Sequence, residues 1–266
     1  MRAAPAANAP WSWPSFWRRA RQAPHRFLAL DYDGTLAPFQ TERMSALPSA
    51  GTIPLLDDIA AMPRTALAIL SGRPIAELAV LLGERNGIFS GSHGWEFRFP
   101  DGSSHVHQPD VRQKNFLDAA AARLAEIGLG QYVERKTASL AFHTRAVPEP
   151  EAQQLAARAD SILTPMIAGA RIERRPFNGG VEYRCADRNK GTAFAELLVR
   201  QPRGSFPVYI GDDDTDEDVF RALFDVGAGI KVGAENSESA AALRLADCQA
   251  VVEFLTEWKR RLSEKS

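Results

Sequence analysis

Three short apolar runs, none of them alternating and each ending in a polar cluster, constrain the fold of this chain more than any other feature. Phe27–Leu30 ends in Asp31-Tyr32-Asp33-Gly34-Thr35, and Thr65–Leu70 ends in Ser71-Gly72-Arg73. Phe206–Ile210 ends in Gly211-Asp212-Asp213-Asp214-Thr215-Asp216. A strand that is apolar at every position is buried on both faces, and helices between such strands supply the cover. Helix-like stretches lie where they are needed: Thr52–Ala61, a stretch opened by Pro74 and closed by Gly83, and Thr192–Arg200. The expected fold is α/β, with a Rossmann-like parallel-sheet core.

Between these runs the grammar changes. A helix-like stretch from Val111 to Ile127 stops at Gly128, and Tyr132–Arg145 reads as one strand or a hairpin. A second helix-like stretch runs from Pro150 to Ile167, and Asn178-Gly179-Gly180 marks a tight hairpin between Arg171–Phe177 and Val181–Cys185. Helix, strands, helix, hairpin is an α+β module. The expected organisation is an N-terminal extension (1–25), a first core segment (26–106), an inserted α+β cap (107–185) and a second core segment (186–266). In the last segment Thr215-Asp216-Glu217-Asp218 reads as a helix start with a capping box. Gly229–Val232 reads as the final strand, with two helix-like stretches after it.

Composition excludes several classes. Lys and Arg total 32 and Asp and Glu 33, for a net charge of −1, which lacks the basic field of a dedicated nucleic-acid binder. The apolar runs are far shorter than the ~20 residues of a membrane-spanning helix, so no stable membrane insertion is expected. Cys185 and Cys248 cannot make a disulfide framework. They read as free thiols of a reducing, cytoplasmic protein, although two cysteines do permit one bridge. The first 26 residues hold five arginines, Trp11, Trp13, Phe16 and Trp17, and no acid. They read as a tail whose aromatics pack onto the body. The alternative is contact with a membrane surface or a protein partner, which the sequence does not specify. Pro10 and Pro14 are expected to interrupt any amphipathic helix there.

In open α/β sheets ligands bind outside the carboxyl ends of the strands. If the three polar clusters converge there, one pocket holds several carboxylates, a hydroxyl, an arginine and Lys190. Asp31 and Asp33 are two apart, and point the same way if the extended run continues. Asp212 and Asp216 are four apart, a spacing that shares a helix face. Carboxylates this close cannot all stay ionised unless a cation intervenes, and hard oxygen ligands beside an anionic substrate suit Mg²⁺. Ser71, Arg73 and Lys190 suit a phosphate. Taken singly, each piece has an ordinary explanation: a solvated D-x-D loop, a Ser-Gly-Arg turn, a surface lysine. Together they suggest phosphoryl transfer through a carboxylate nucleophile.

These residues resemble the motifs of the haloacid dehalogenase (HAD) superfamily of phosphatases: D-x-D-G-T at Asp31–Thr35, a strand-end Ser at Ser71, a Lys at Lys190 and G-D-x-x-x-D at Gly211–Asp216. The resemblance implies Asp31 as nucleophile and Asp33 as acid/base. It implies that Ser71 and Lys190 hold the phosphate. Asp31, the carbonyl of Asp33 and Asp212 would hold Mg²⁺, with Asp213 and Asp216 as supporting acids. Longer words resemble one branch, the trehalose-6-phosphate phosphatases: Leu30–Leu36, Ser71-Gly72-Arg73, His93-Gly94 with Glu96, and Gly211–Asp218. The cap adds Glu134, Lys136, His143-x-Arg145 and Glu182-x-Arg184.

The similarity spans about Arg26 to Leu255 and implies a sugar-phosphate substrate. Arg73, His93 and Gly94 would lie at the substrate, and Glu134, Lys136 and Glu182 would meet the sugar hydroxyls. Glu134 and Lys136 are expected on one strand face. The competing explanation of that trio is a cross-strand ion pair with no bearing on substrate. Where the branch usually has proline after Glu182-x-Arg184, this chain has Cys185, which bears on the hinge to the core. A phosphatase of sucrose 6-phosphate or of a mannosyl phosphate is the alternative enzyme, and a non-catalytic sugar-phosphate sensor the alternative from another class.

Overall fold

The structure, a computed structural model, describes residues 11–85, 87–177, 179–234 and 238–263. Arg2 and Pro10 of the N-terminal segment and Asn178 of the hairpin signal lie outside the described residues. The chain divides into two compact units, one formed by Met1–His105 with Asn189–Ser266, the other by Val106–Arg188.

In chain order the first unit opens with α1 (Trp13–Gln22), β1 (Arg26–Leu30), α2 (Thr52–Ala60), β2 (Thr65–Leu70) and α3 (Ile75–Leu82). Then come β3 (Ile88–Gly91), β4 (Glu96–Arg98) and β5 (Ser104–Val106). The second unit holds α4 (Val111–Glu126), β6 (Val133–Arg135), β7 (Ser139–His143), α5 (Glu151–Leu163), β8 (Ile172–Phe177) and β9 (Gly180–Cys185). The chain returns to the first unit with α6 (Lys190–Val199), β10 (Phe206–Gly211), α7 (Glu217–Leu223), β11 (Ala228–Val232), β12 (Leu243–Leu245) and α8 (Cys248–Leu262).

The large sheet has the order β12-β11-β10-β1-β2-β3-β4-β5. The pairs from β12 across to β3 are parallel, and β4 turns antiparallel against β3. β1 and β10 are buried at every position, the reason their sequences do not alternate. Two apolar layers flank the sheet. One includes Leu28, Leu30, Val208 and Ile210 with Leu56 and Trp258, the other Phe27, Ala29 and Tyr209 with Phe194 and Phe220.

The sequence reading needs four corrections. Residues 13–22 form a helix despite Pro14, because proline in the first turn removes only an amide that has no intrahelical partner. Ser12 caps it in a capping box with Ser15, and Phe16, Trp17 and Ala20 are buried. Phe16 and Trp17 pack on Phe254 and Trp258 of α8 and Trp11 on Phe206, so these aromatics belong to the core. β11 is not the last strand: Leu243–Leu245 adds β12, and a single helix, α8, follows among the described residues. α6 begins at Lys190, two residues early, since Asn189 makes the capping box with Thr192. Finally, α7 has no side-chain cap at its N-terminus, because the Asp216 carboxylate is used elsewhere.

The second unit is a four-stranded sheet of order β6-β7-β9-β8, antiparallel throughout. Tyr132–Arg145 therefore resolves as a hairpin. One face, with Leu140, Phe142, Val181 and Tyr183, is buried. Phe116 of α4 packs on Tyr183, and Asp160 of α5 pairs with Arg174 at 2.6 Å. The opposite face is polar.

Candidate active site

β1 ends at Leu30 and the backbone turns at once: the amides of Leu36 and Ala37 donate to the Tyr32 carbonyl. The extended run therefore does not continue, and the side chains of Asp31 and Asp33 diverge. Asp31 accepts from Lys190 Nζ at 2.9 Å. Asp33 takes the Arg73 fork bidentately, Nη2 at 2.6 Å and Nε at 2.7 Å. Gly34, next in the chain, has φ of 75°, and a Cβ there would sit 2.1 Å from Asp212 Oδ2. Only glycine satisfies both the backbone conformation and that approach.

Asp216 is the hub of the acidic run. Its Oδ1 accepts from Lys190 Nζ at 2.7 Å and from the Tyr209 hydroxyl at 2.5 Å. Its Oδ2 accepts from the amides of Asp212 at 2.9 Å and Asp213 at 3.0 Å. A carboxylate fully committed in this way fixes the loop and the lysine, and leaves α7 uncapped. The Asp213 carboxylate takes the Thr215 hydroxyl and amide. Lys231 of β11, buried, donates to the Asp213 carbonyl at 3.0 Å and pairs with Glu217 at 3.4 Å. Lys231 and Tyr209 were missed by the sequence reading. A lysine inside the apolar run Ala228–Val232 was the available signal, since a buried lysine needs partners.

Asp31, Asp212 and Asp216 bring one carboxylate oxygen each within 4.8 Å of one another. Asp212 Oδ1 is buried without a hydrogen-bond partner. Burial, with repulsion from Asp216 and Asp213, pushes the Asp212 carboxyl up to about 7. Burial also raises Asp31 well above the usual carboxylate range, against the pull of Lys190 and with the push of Asp216 and Asp212. Lys190 is driven the other way by burial, but Asp216 and Asp31 outweigh it and hold the ammonium charged. Asp213 is lowered: burial opposes this, and Lys190 and the Thr215 hydrogen bond prevail. Crowded oxygens with raised pKa values and one unpartnered atom fit a hard divalent cation, which would let the acids ionise together. Asp33 directs its carboxylate to Arg73, so a role at such a cation would fall to its backbone carbonyl.

The family profile of trehalose-phosphatase matches residues 29–249. The chain belongs to the trehalose-phosphatase family. Trehalose-phosphate phosphatase of Mycobacterium avium (strain 104) is 35% identical over 211 residues, 75% of this chain and 51% of that protein. A bifunctional trehalose-6-phosphate synthase/phosphatase of Thermoproteus tenax is 31% identical over 213 residues, 80% of this chain and 29% of that protein. The chain thus spans about half the length of the mycobacterial relative and under a third of the bifunctional one. The C-terminal domain of C. albicans trehalose-6-phosphate phosphatase superposes with a TM-score of 0.77. That pair covers 96% of this chain and 98% of that one, at 23% identity, which speaks for a shared α/β fold.

The remaining expected residues of this trehalose-phosphatase family member divide between the units. Ser71 is buried, and its Oγ accepts from the Arg73 amide at 3.1 Å. Arg73 is buried and bound to Asp33, to Glu77 at 3.3 Å and to the Arg43 carbonyl at 2.9 Å, so it orients Asp33. His93, in a left-handed turn after β3 (φ 55°), lays its ring against Gly72, where a Cβ would come within 2.6 Å of the imidazole. Glu96 holds that turn through Ser92 Oγ at 2.6 Å and reaches the Ile75 amide at 2.9 Å. Gly94 lets the turn meet Asn189 and Ala193, beside Lys190.

In the second unit Lys136 falls just past β6, and its Nζ lies 3.1 Å from Glu182 Oε1 and 3.8 Å from Glu134 Oε2. Ser139 Oγ donates to the same Glu182 oxygen at 2.8 Å, and His143 Nε2 is 2.8 Å from Glu134. The ion pair among the trio exists, and it gathers the two carboxylates around one ammonium. No helix of the described residues is long and apolar enough to cross a membrane.

Proposed function

We propose that the protein hydrolyses trehalose 6-phosphate to trehalose and phosphate, with Asp31 as nucleophile and Mg²⁺ as cofactor. The observation that carries this reading is the placement of Asp31: a buried carboxylate beside both a charged lysine and the unpartnered oxygen-bearing Asp212. Family membership and the names of the relatives support the substrate. Asp31 and Asp212, with the Asp33 carbonyl, would hold the cation. Once bound, it neutralises charge between the phosphate and the carboxylates.

In the first step Asp31 Oδ attacks phosphorus, the bond from phosphorus to the sugar oxygen breaks, and Asp33 gives that oxygen a proton. In the second, water attacks the aspartyl-phosphate, its proton passes to Asp33, and Asp31 is regenerated as phosphate leaves. Lys190 and the Ser71 hydroxyl hold the phosphate oxygens. Both Asp33 oxygens accept from Arg73 in this state, so that fork must open on at least one side and Asp33 take up a proton before the first step, a proton that the water of the second step then restores. Glu134, Lys136 and Glu182 meet the sugar hydroxyls, each replacing a bond within the trio by one to the substrate. The unpaired Cys185 and Cys248 suit a cytoplasmic protein.

The test is phosphate release from trehalose 6-phosphate, sucrose 6-phosphate, glucose 6-phosphate and p-nitrophenyl phosphate, with Mg²⁺ and with a chelator. Preference for trehalose 6-phosphate, abolished by the chelator, is expected. Preference for another sugar phosphate keeps the Asp31 chemistry and overturns the substrate. No release from any of them favours a sensor.

A further inference from the structure

The polar face of the small sheet carries one large apolar side chain. Register places Glu134, Ala141, Glu182 and Arg175 in a row across the strands. Ser139 and His143, Gly180 and Arg184, and Glu173 and Phe177 flank that row on the same face. Every one of these is charged, polar or small except Phe177, which is 37% exposed. A lone exposed apolar side chain is ordinary on a protein surface, and what marks this one is its seat. Its ring is seated in a definite place. Opposite it is Gly180, where a Cβ would come within 2.7 Å of Phe177 Cζ, so glycine makes the room for the ring. The ring also meets the His143 imidazole at 5.5 Å and 70°, an edge-to-face contact. His143 in turn reaches Glu134, so the aromatic surface and the Glu134–Lys136–Glu182 trio are joined by one imidazole.

A pyranose presents hydroxyls at its rim and C–H groups on its faces. The trio supplies acceptors and a donor for the rim, but nothing for a face. Ligand pockets combine a few placed polar groups with apolar and aromatic lining, and a flat aromatic ring suits the C–H face of a sugar. We infer that Phe177 supplies that ring: a specificity-determining residue on which a sugar ring of the substrate stacks. This rests on the sugar-phosphatase reading above.

The test compares Phe177→Leu and Phe177→Trp with the wild type in the full-length chain. Leucine keeps apolar bulk over Gly180 and removes the flat face; tryptophan keeps the face. The readout is the ratio of kcat/KM for trehalose 6-phosphate to that for p-nitrophenyl phosphate, which has no sugar. The Leu variant is expected to lower this ratio about fivefold, through KM for the sugar phosphate, and the Trp variant to restore it. A ratio unchanged in the Leu variant overturns the inference while leaving the phosphatase reading intact. So does equal loss in both variants, which marks a packing role. A wild-type enzyme that releases phosphate from p-nitrophenyl phosphate and ignores every sugar phosphate overturns both.

Discussion

The two units each gather carboxylates around a lysine, and they do so in opposite ways. Around Lys190 the acids are buried and outnumber the cation, and the excess shows as raised pKa values on Asp31, Asp212 and Asp216. Around Lys136 the set is Glu134 and Glu182, with the Ser139 hydroxyl and the His143 imidazole supplying further contacts. The first cluster is electrostatically incomplete by itself, since close buried carboxylates hold their protons until a cation arrives. The second makes its hydrogen bonds within itself, so a ligand there exchanges hydrogen bonds. Under the proposed function, chemistry belongs to the first arrangement and recognition to the second.

Replacing Asp31 tests the contrast most severely. Asp31→Asn removes the nucleophile, and turnover should fall by at least about a thousandfold. The same change removes a buried carboxyl whose ionisation is disfavoured, so the melting temperature at pH 7.5 should hold or rise. Phosphate release and a thermal melt on one preparation check both. Activity within a factor of ten of wild type removes Asp31 from the mechanism, and a large fall in melting temperature contradicts the account of the cluster as electrostatically incomplete.

What the sequence made legible follows the same division. The strand-end motifs mark the core site because each follows a run that burial makes uniformly apolar, and β1, β2 and β10 stand where those runs are. β3, β4, β5 and β12 escaped notice; each is only three or four residues long, too short for a periodic signal. The direction of a side chain at a turn was not legible either. Asp33 departs from Asp31 because the backbone leaves extension at Tyr32, and Asp216, though at the N-cap of α7, does not cap it with its carboxylate because four donors converge there. The N-terminal helix was discounted on Pro14, although its aromatic spacing matched a face that packs on α8.

A second, smaller effect distinguishes the clusters by pH. A carboxyl whose folded pKa is raised stabilises the fold while protonated, and that contribution is lost as pH climbs from the ordinary value through the folded one. For Asp212 the window runs from about 4 to about 7. The metal-free protein should therefore melt lower at pH 8 than at pH 5.5 by a few degrees. Mg²⁺ should recover that loss at pH 8 and add little at pH 5.5, because binding needs the ionised acids. Asp212→Asn should abolish the dependence on Mg²⁺. Equal shifts by Mg²⁺ at both pH values, or a shift retained in Asp212→Asn, would place the cation elsewhere.

The smallest expected change comes from the cap. Glu182 Oε1 accepts from both Lys136 Nζ and Ser139 Oγ. Glu182→Gln keeps an acceptor of the same shape and removes the charge that holds the ammonium. Stability should move by no more than about 1 kcal/mol, since neutral acceptors still satisfy the serine and the lysine retains Glu134. If the trio reads sugar hydroxyls, KM for trehalose 6-phosphate should rise several-fold while kcat changes little, the pattern of lost uniform binding. If the trio is an ion pair and nothing more, KM stays put and the melt alone responds. The melt responds under either account and KM under only one, so KM of a single variant decides between recognition and structure for the whole cluster.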